Sequence, residues 1–214
     1  MTTLGIMKAR IAAETTRDDL DDAIASEITS AINYYRAKRF WFTEQATGRT
    51  FNTSAGQSEY SGSGGVDIAN IIRIDSITVI DNGQVYPLRL VDPQSIEIMI
   101  NSTGALGDVP TYYSYYEQKL RFYPIPDGTY PIKIMGVYRV DAPASDSETD
   151  NPWMNDAEEL IRFRAKRNLY LNWMLGTEAT QAQAMQALED EAYQRLRAET
   201  SSRSQVSRIR PSCL

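Results

Sequence analysis

The sequence predicts an α+β fold, an antiparallel α-helical bundle with a large β-rich domain inserted between its two halves, followed by an extended C-terminal tail. Apolar residues recur at helical spacing in residues 1–39 and again in residues 151–200. Residues 40–150 are instead rich in Tyr, Ile, Val, Thr and Phe and are interrupted by Gly, Pro and Asn, as strands and turns are. Runs of strands beside runs of helices indicate α+β and not an alternating α/β sheet.

Two helices are predicted at the start of the chain. Thr3 is a suitable N-cap for a short helix that ends near Glu14. A second helix is predicted from about Asp18 to Lys38, with acids in its first turn and bases in its last, as the helix macrodipole favours. Its predicted apolar stripe consists of Leu20, Ile24, Ile28, Ile32 and Tyr35.

The β-rich segment is predicted to contain two hairpins. Residues 72–80 alternate in polarity, and Asn82-Gly83 is a pair favoured in two-residue turns, so residues 85–90 are predicted to return as the second strand. The other predicted elements are a helix over 94–100 after Pro93, a hairpin of strands 112–116 and 119–123, a flexible loop over 52–65 with a brief strand at Glu59-Tyr60, and a last strand over 130–140.

A polar linker, residues 141–151, leads to the last two helices. Pro152 suits the first turn of a helix that is predicted to run to about Leu175 and to end at Gly176. The final helix is predicted from about Glu178 onward, to Arg197. The predicted inward positions are Ala157, Ile161, Ala165, Leu169 and Trp173 in the first of these helices, and Ala182, Met185, Leu188, Ala192 and Leu196 in the second.

The helix that starts at Pro152 is apolar over more than one face. Besides its inward stripe, it carries Phe163, Tyr170 and Met174. A helix apolar over so much of its circumference must be covered on more than one side, and in a chain of this size the second cover can come from another subunit. We therefore predict that these three residues lie at a subunit interface.

The composition argues against most classes of enzyme. The chain has no His, and its single Cys, Cys213, cannot form an intrachain disulfide. Residues 62–65 form a Gly/Ser stretch without the Lys and Ser/Thr of a phosphate-binding loop. Clustered acids lie in predicted first turns, where the helix dipole accounts for them. We predict no catalytic site, no metal site and no cofactor.

The charge and hydropathy of the chain limit the kinds of partner that it is expected to bind. The net charge is −6, and an acidic protein does not offer the clustered Lys and Arg of a nucleic-acid-binding surface. Residues 201–214 differ, since they carry three Arg and no acid. No apolar run approaches the ~20 residues that span a bilayer, so we expect a soluble protein, made in a cytoplasm, without a membrane partner.

Several short motifs occur in an order shared with a known family. Arg39-Phe40-Trp41-Phe42 is followed by Thr50-Phe51-Asn52-Thr53 and by Gly56-Gln57-Ser58-Glu59-Tyr60. The further motifs are residues 74–79, 86–88, 110–113, 120–130 and 151–153. In this order they resemble the head-to-tail connector adaptors of tailed bacteriophages, both portal-docking and tubular-tail adaptors, over about residues 18–196.

The resemblance implies a structural virion protein and not an enzyme. It implies a ring of identical subunits, a dodecamer, that joins the portal protein to a downstream tail protein at the head-tail junction. DNA would pass through the lumen of this ring without specific binding. Two alternatives remain open: a β-rich receptor- or carbohydrate-binding module, suggested by the tyrosines at 112–116, and a virion-associated hydrolase.

The tail, residues 201–214, is predicted to be unstructured in the free subunit and to order as an arm on a partner. Its arginines are interleaved with aliphatic residues, an arrangement that suits a groove with apolar pockets and acidic walls. The resemblance points to the portal as that partner, with a neighbouring adaptor subunit as the second possibility. The predicted partner-binding residues are Arg203, Val206, Arg208, Ile209, Arg210 and Leu214.

Overall fold

The computed structural model describes residues 2–17, 19–45, 50–62, 68–102, 107–174 and 179–204. The chain forms two compact units. We call residues 1–42 with 140–214 the helical unit, and residues 43–139 the β unit. No helix in the described ranges combines the length and the apolarity needed to cross a bilayer.

The elements follow one another in a simple order. The helices are α1 (Leu4–Thr15), α2 (Asp21–Tyr35), α3 (Pro93–Ser102), α4 (Pro152–Asn155), α5 (Glu158–Asn172) and α6 (Ala179–Ser204). The strands are β1 (Glu44–Gln45), β2 (Thr50–Asn52), β3 (Glu59–Tyr60), β4 (Ile71–Asp81), β5 (Gln84–Pro87), β6 (Arg89–Leu90), β7 (Tyr112–Tyr116), β8 (Lys119–Tyr123) and β9 (Pro131–Tyr138). Short 3₁₀ turns cover Trp41–Thr43 and Ile68–Asn70.

The ion pairs of the helical unit give the directions of its helices. Arg195 of α6 pairs with Glu159 of α5, and Arg167 of α5 pairs with Glu189 of α6, so these two helices are antiparallel. Glu14 of α1 pairs with Arg162 of α5, and Arg10, one turn earlier in α1, pairs with Glu158, one turn earlier in α5. Helices α1 and α5 are therefore parallel. The shared core is formed by apolar residues that include Ile11, Ile28, Phe40, Trp153, Leu160, Ile161, Leu169 and Leu196.

The helix predicted from Pro152 to Leu175 is divided in two. Asn151 caps α4 by accepting the Trp153 N–H at 3.1 Å, and α4 ends at Asn155. The Asn155 side chain then donates to Thr149 O, and Ala157, with a φ of −119°, separates α4 from α5. The prediction of one continuous helix is therefore wrong. The predicted end at Gly176 lies outside the described residues.

The boundaries of the two units differ from the predicted ones. Residues 141–150 of the predicted linker, which the prediction places with the β-rich domain, group with the helical unit, and so does Val140, the predicted end of the last strand. The reason is local, because Asp146 binds α1 twice: its C=O accepts the Gly5 N–H at 3.0 Å, and its carboxylate pairs with Lys8 at 2.7 Å.

The β unit consists of two sheets. Sheet A has the order β1–β9–β4–β5, with β2 also paired to β9. Sheet B has the order β3–β8–β7–β6, in which β6 is parallel to β7. One apolar core contains residues of both sheets, so the sheets pack face to face. This core includes Phe51, Tyr60, Ile77, Val79, Tyr113, Leu120, Phe122, Ile132, Ile134 and Tyr138.

The predicted Asn82-Gly83 turn of the β unit is confirmed, and one predicted strand is wrong. Asn82 and Gly83 have φ values of 48° and 77°, as a two-residue turn requires. The strand predicted over 85–90 is divided: β5 ends at Pro87 in sheet A, whereas β6 lies in sheet B. Leu88 between them is buried, so the chain crosses from one sheet to the other at this residue.

Candidate interaction surfaces

The described residues form no metal-binding constellation. Across the described ranges, no three His, Cys, Asp or Glu side chains are placed to hold a metal ion. Exposed apolar side chains, and the polar clusters that hold their helices in place, offer candidate interaction surfaces.

The three predicted interface residues do not lie together. Tyr170 and Met174 line one cleft of about 300 Å³, and Trp173 lies in the same cleft. Phe163 is about two turns away and is partly buried against the helical core. Its ring centroid lies 4.9 Å from Cζ of Arg162. Only the pair at the end of α5 therefore forms a common surface.

Two large apolar side chains are exposed beside that pair. Leu171 and Trp173 are 55% and 49% exposed. The prediction that Trp173 points inward is wrong, because α5 ends at Asn172 and the indole N–H instead donates to Glu27 at 3.2 Å. We call this surface the α5-end patch: Tyr170, Leu171, Trp173 and Met174.

Glu189 of α6 is a buried acid that sequence reasoning missed. Its carboxylate accepts hydrogen bonds from Tyr35 at 2.5 Å, Arg164 at 2.7 Å and Arg167 at 3.0 Å. Burial, and then the bond to Glu189, raise the pKa of Tyr35 far above its usual value. The guanidinium of Arg164 also lies 3.3 Å from the ring centroid of Tyr34. Helices α2, α5 and α6 thus meet at one carboxylate.

The sequence contains a signal for this acid. The buried positions of α6 include 182, 189, 192 and 196. With half-buried Met185 they form a series in which the steps alternate between three and four residues. Leu188, predicted to point inward, is 38% exposed. This heptad-like spacing predicts that Glu189 points inward and that its apolar neighbour Leu188 does not.

A second polar cluster joins α1 to α5. Glu14 pairs with Arg162 at 2.6 Å and with Lys166 at 2.9 Å. Burial opposes ionisation of Glu14, but the hydrogen bonds from Lys166 and Arg162 lower its pKa below the usual value. The helix that carries the α5-end patch is therefore fixed to neighbours on both sides.

The last described turn of α6 corrects the prediction for the tail. Residues 201–204 are helical and not part of an unstructured arm. Arg203 pairs with Glu199 at 2.5 Å, and its guanidinium lies 3.8 Å from the ring centroid of Trp41. Thr200 accepts the Trp41 N–H at 3.1 Å. The other predicted partner-binding residues, Val206, Arg208, Ile209, Arg210 and Leu214, lie outside the described residues.

The β unit has a cleft where its two sheets open at one edge. β5 is an edge strand of sheet A and β6 an edge strand of sheet B. The Arg89 N–H donates to Thr111 O at 2.9 Å, which fixes β6 to the segment before β7. A cleft of about 540 Å³ lies here, and we call it the edge groove. Its lining includes Asp81, Tyr86, Pro87, Asp108, Val109 and Pro110.

Three carboxylates converge beside the edge groove. Tyr130 donates a hydrogen bond to Asp127 at 2.5 Å. Gly107 approaches Asp127 so closely that an added Cβ would lie 2.8 Å from the Asp127 Cβ, which brings Asp108 near Asp127. The bond to Asp127, with the negative charges of Asp127, Asp81 and Asp108, raises the pKa of Tyr130 to about 12.

Comparison with known proteins relates the chain to a family. A family model described as SU10 adaptor protein matches residues 2–211, nearly the whole chain. A search of curated proteins finds no match.

Proposed function

Because the chain belongs to the SU10 adaptor protein family and is thus a structural adaptor of a bacteriophage virion, we propose that it forms the ring between the portal and the tail. The proposed ring contains twelve copies and continues the DNA channel from the portal. It sits at the head-tail junction and binds a downstream tail protein on the side away from the portal.

The observation that supports a ring is the α5-end patch. Exposed Trp173 shares a cleft with half-buried Tyr170 and Met174, and exposed Leu171 adjoins them in sequence, at the end of a helix that ion pairs fix on both sides. Clustered apolar side chains on a rigid surface are typical of protein–protein interfaces. If the patch of one subunit binds a different surface on the next subunit, repeating that contact around a rotation axis closes a ring.

The charge of the chain supports a channel through which DNA slides. The net charge is −6, so the ring as a whole repels the phosphate backbone instead of holding it. Specific or tight binding of DNA would need clustered Lys and Arg that release counterions.

Mass photometry of the full chain, with and without its portal protein, tests the ring. We expect discrete ring assemblies for the wild type. Leu171→Glu and Met174→Glu should weaken assembly by about tenfold or more, because each places a charge in the apolar contact. Ile6→Glu is the matched control, since Ile6 is 48% exposed on α1 and outside the patch.

The two substitutions also report on the fold. If Leu171→Glu and Met174→Glu leave the circular dichroism spectrum unchanged and block assembly, the patch is an interface. Rings that form equally well with both variants would exclude the patch. Monomers only, with and without portal, would contradict the proposed ring itself.

A further inference from the structure

Among the strands that the structure describes, β5 pairs only with β4, so its other edge offers backbone groups to an additional strand. Leu88 N–H donates to Ile77 O at 2.9 Å, which sets the antiparallel register of β4 and β5. In this register the N–H and C=O of Val85 and the C=O of Pro87 turn away from β4. Val85 is 60% exposed. Because Pro87 has no N–H, this edge suits a short added strand and not a long one.

The side chains of the edge groove combine apolar and acidic surface. Tyr86 is 51% exposed and lines the groove together with Val109. Neither Asp81 nor Asp108 forms an ion pair with any residue that the structure describes. Arg89 also lines the groove, so two carboxylates accompany one guanidinium there. The groove therefore favours an extended segment with aliphatic and cationic side chains.

Residues 205–214, outside the described structure, have this chemistry. They include two arginines and no acid. In an extended strand alternate side chains share a face, so Arg208 and Arg210 would project together, opposite Ile209. These ten residues follow directly on α6 and, fully extended, reach at most about 35 Å. That reach allows contact with an adjacent subunit.

We propose that the edge groove binds residues 205–214 of a neighbouring copy of this chain, as a short strand along β5 with Arg208 and Arg210 beside Asp81 and Asp108. The inference rests on the proposed function, because a ring holds the copies side by side. Each subunit would then be tied to the next by an exchanged segment in addition to the α5-end patch.

Cys213, the single cysteine of the chain, lies in this segment and permits a cross-linking test. Thr111→Cys adds a thiol in the edge groove. Thr50→Cys is the matched control, an exposed threonine of the β unit at the other edge of sheet A. The full chain is treated with a bis-maleimide and separated on a denaturing gel. We expect cross-linked dimers and longer ladders to form about tenfold faster with Thr111→Cys, because docking raises the local concentration of Cys213.

Charge reversal separates docking from chance collision. Asp81→Arg with Asp108→Arg, in the Thr111→Cys chain, should slow cross-linking about tenfold, because attraction of two arginines becomes repulsion. Adding Arg208→Asp and Arg210→Asp restores opposite charges and should restore the fast rate. A variant that merely misfolds would not be rescued by two changes in a segment far along the chain.

Each other outcome contradicts a defined part of the inference. Equal rates for Thr111→Cys and Thr50→Cys, or cross-links within one chain by peptide mapping, overturn it. So does loss of the Thr111→Cys cross-link when portal is added, since the portal would then be the partner. If rings form but Thr111→Cys shows no preferential cross-link, the strand exchange is contradicted and the proposed ring is not. If preferential cross-links form between chains that assemble into no ring, the strand exchange stands and the proposed ring is contradicted.

Discussion

Glu189 shows how a single residue fixes the packing of three helices. Its side chain is 3% exposed, and its partners Arg164 and Arg167 are 15% and 26% exposed. Taking a carboxylate out of water is costly, and the cost is offset only when its oxygens are fully hydrogen-bonded. Tyr35 and the two arginines provide those bonds, so the acid is tolerated at an inward position of α6.

We expect Glu189→Ala to lower the free energy of unfolding of the helical unit by about 3 kcal/mol, because it leaves two half-buried guanidinium groups and one hydroxyl without their acceptor. The value is at the low end for buried pairs because the arginines reach solvent. Urea denaturation followed by circular dichroism measures it. Asp190→Ala, at the exposed adjacent position, is the control and should change stability by less than about 0.5 kcal/mol. A loss below about 1 kcal/mol for Glu189→Ala would show that the arginines find other partners.

The candidate site is only partly predictable from residue types. The sequence indicates a surface at Tyr170 and Met174, because the helix carries too many apolar residues for one face. It misplaces Trp173, because helical spacing does not reveal that α5 ends at Asn172. It assigns Arg203 to an arm, because the stacking of Arg203 on Trp41 joins residues far apart in sequence.

Among the elements, the pairing of β4 with β9 depends on a glycine. Gly136 lies opposite Ile74, where the register shifts before Ser76. A Cβ at Gly136 would lie 2.2 Å from the Arg73 carbonyl oxygen, closer than any non-bonded carbon and oxygen can approach. Glycine within a strand often marks such a close approach of two backbones.

Gly136→Ala should therefore destabilise the β unit by about 2–3 kcal/mol, since the two central strands of sheet A must separate to admit the methyl group. Thermal unfolding monitored by tyrosine fluorescence measures the change. Gly128→Ala is the control, because a Cβ there would meet its nearest described atoms at an ordinary 3.6 Å. Equal stability of the two variants would mean that the strands shift without cost.

Elements with strong local signals are the most predictable. The Asn82-Gly83 turn follows from turn chemistry alone, and α3 follows from Pro93. The hairpin of β7 and β8 follows from the two strand-like runs on either side of Glu117-Gln118. The separation of β5 from β6 is not predictable, because burial of Leu88 depends on the opposite sheet. The interruption between α4 and α5 escapes prediction for a similar reason, since Asn151 and Asn155 take backbone partners that the spacing of apolar residues does not show.

At the scale of the whole chain, the two units have separate cores. Among the residues that the structure describes, the core of the helical unit and the core of the β unit share none. The chain enters the β unit through β1 and leaves it through β9, and Glu44 of β1 lies directly opposite Val137 of β9. The two connections to the helical unit are therefore close together, as they are when one domain is inserted into another.

We predict that the helical unit folds without the β unit. Replacing residues 43–139 by a short Gly-Ser linker should give a helical protein that unfolds cooperatively, because Trp153 and Phe40 keep their partners in the helical core. Circular dichroism with urea denaturation tests the fold, and mass photometry tests assembly. Since the α5-end patch lies in the retained part, the shortened chain should still self-associate, but without the edge groove that receives residues 205–214 its rings should dissociate more readily. A shortened chain that loses cooperative unfolding would show that the β unit is needed to stabilise the helices.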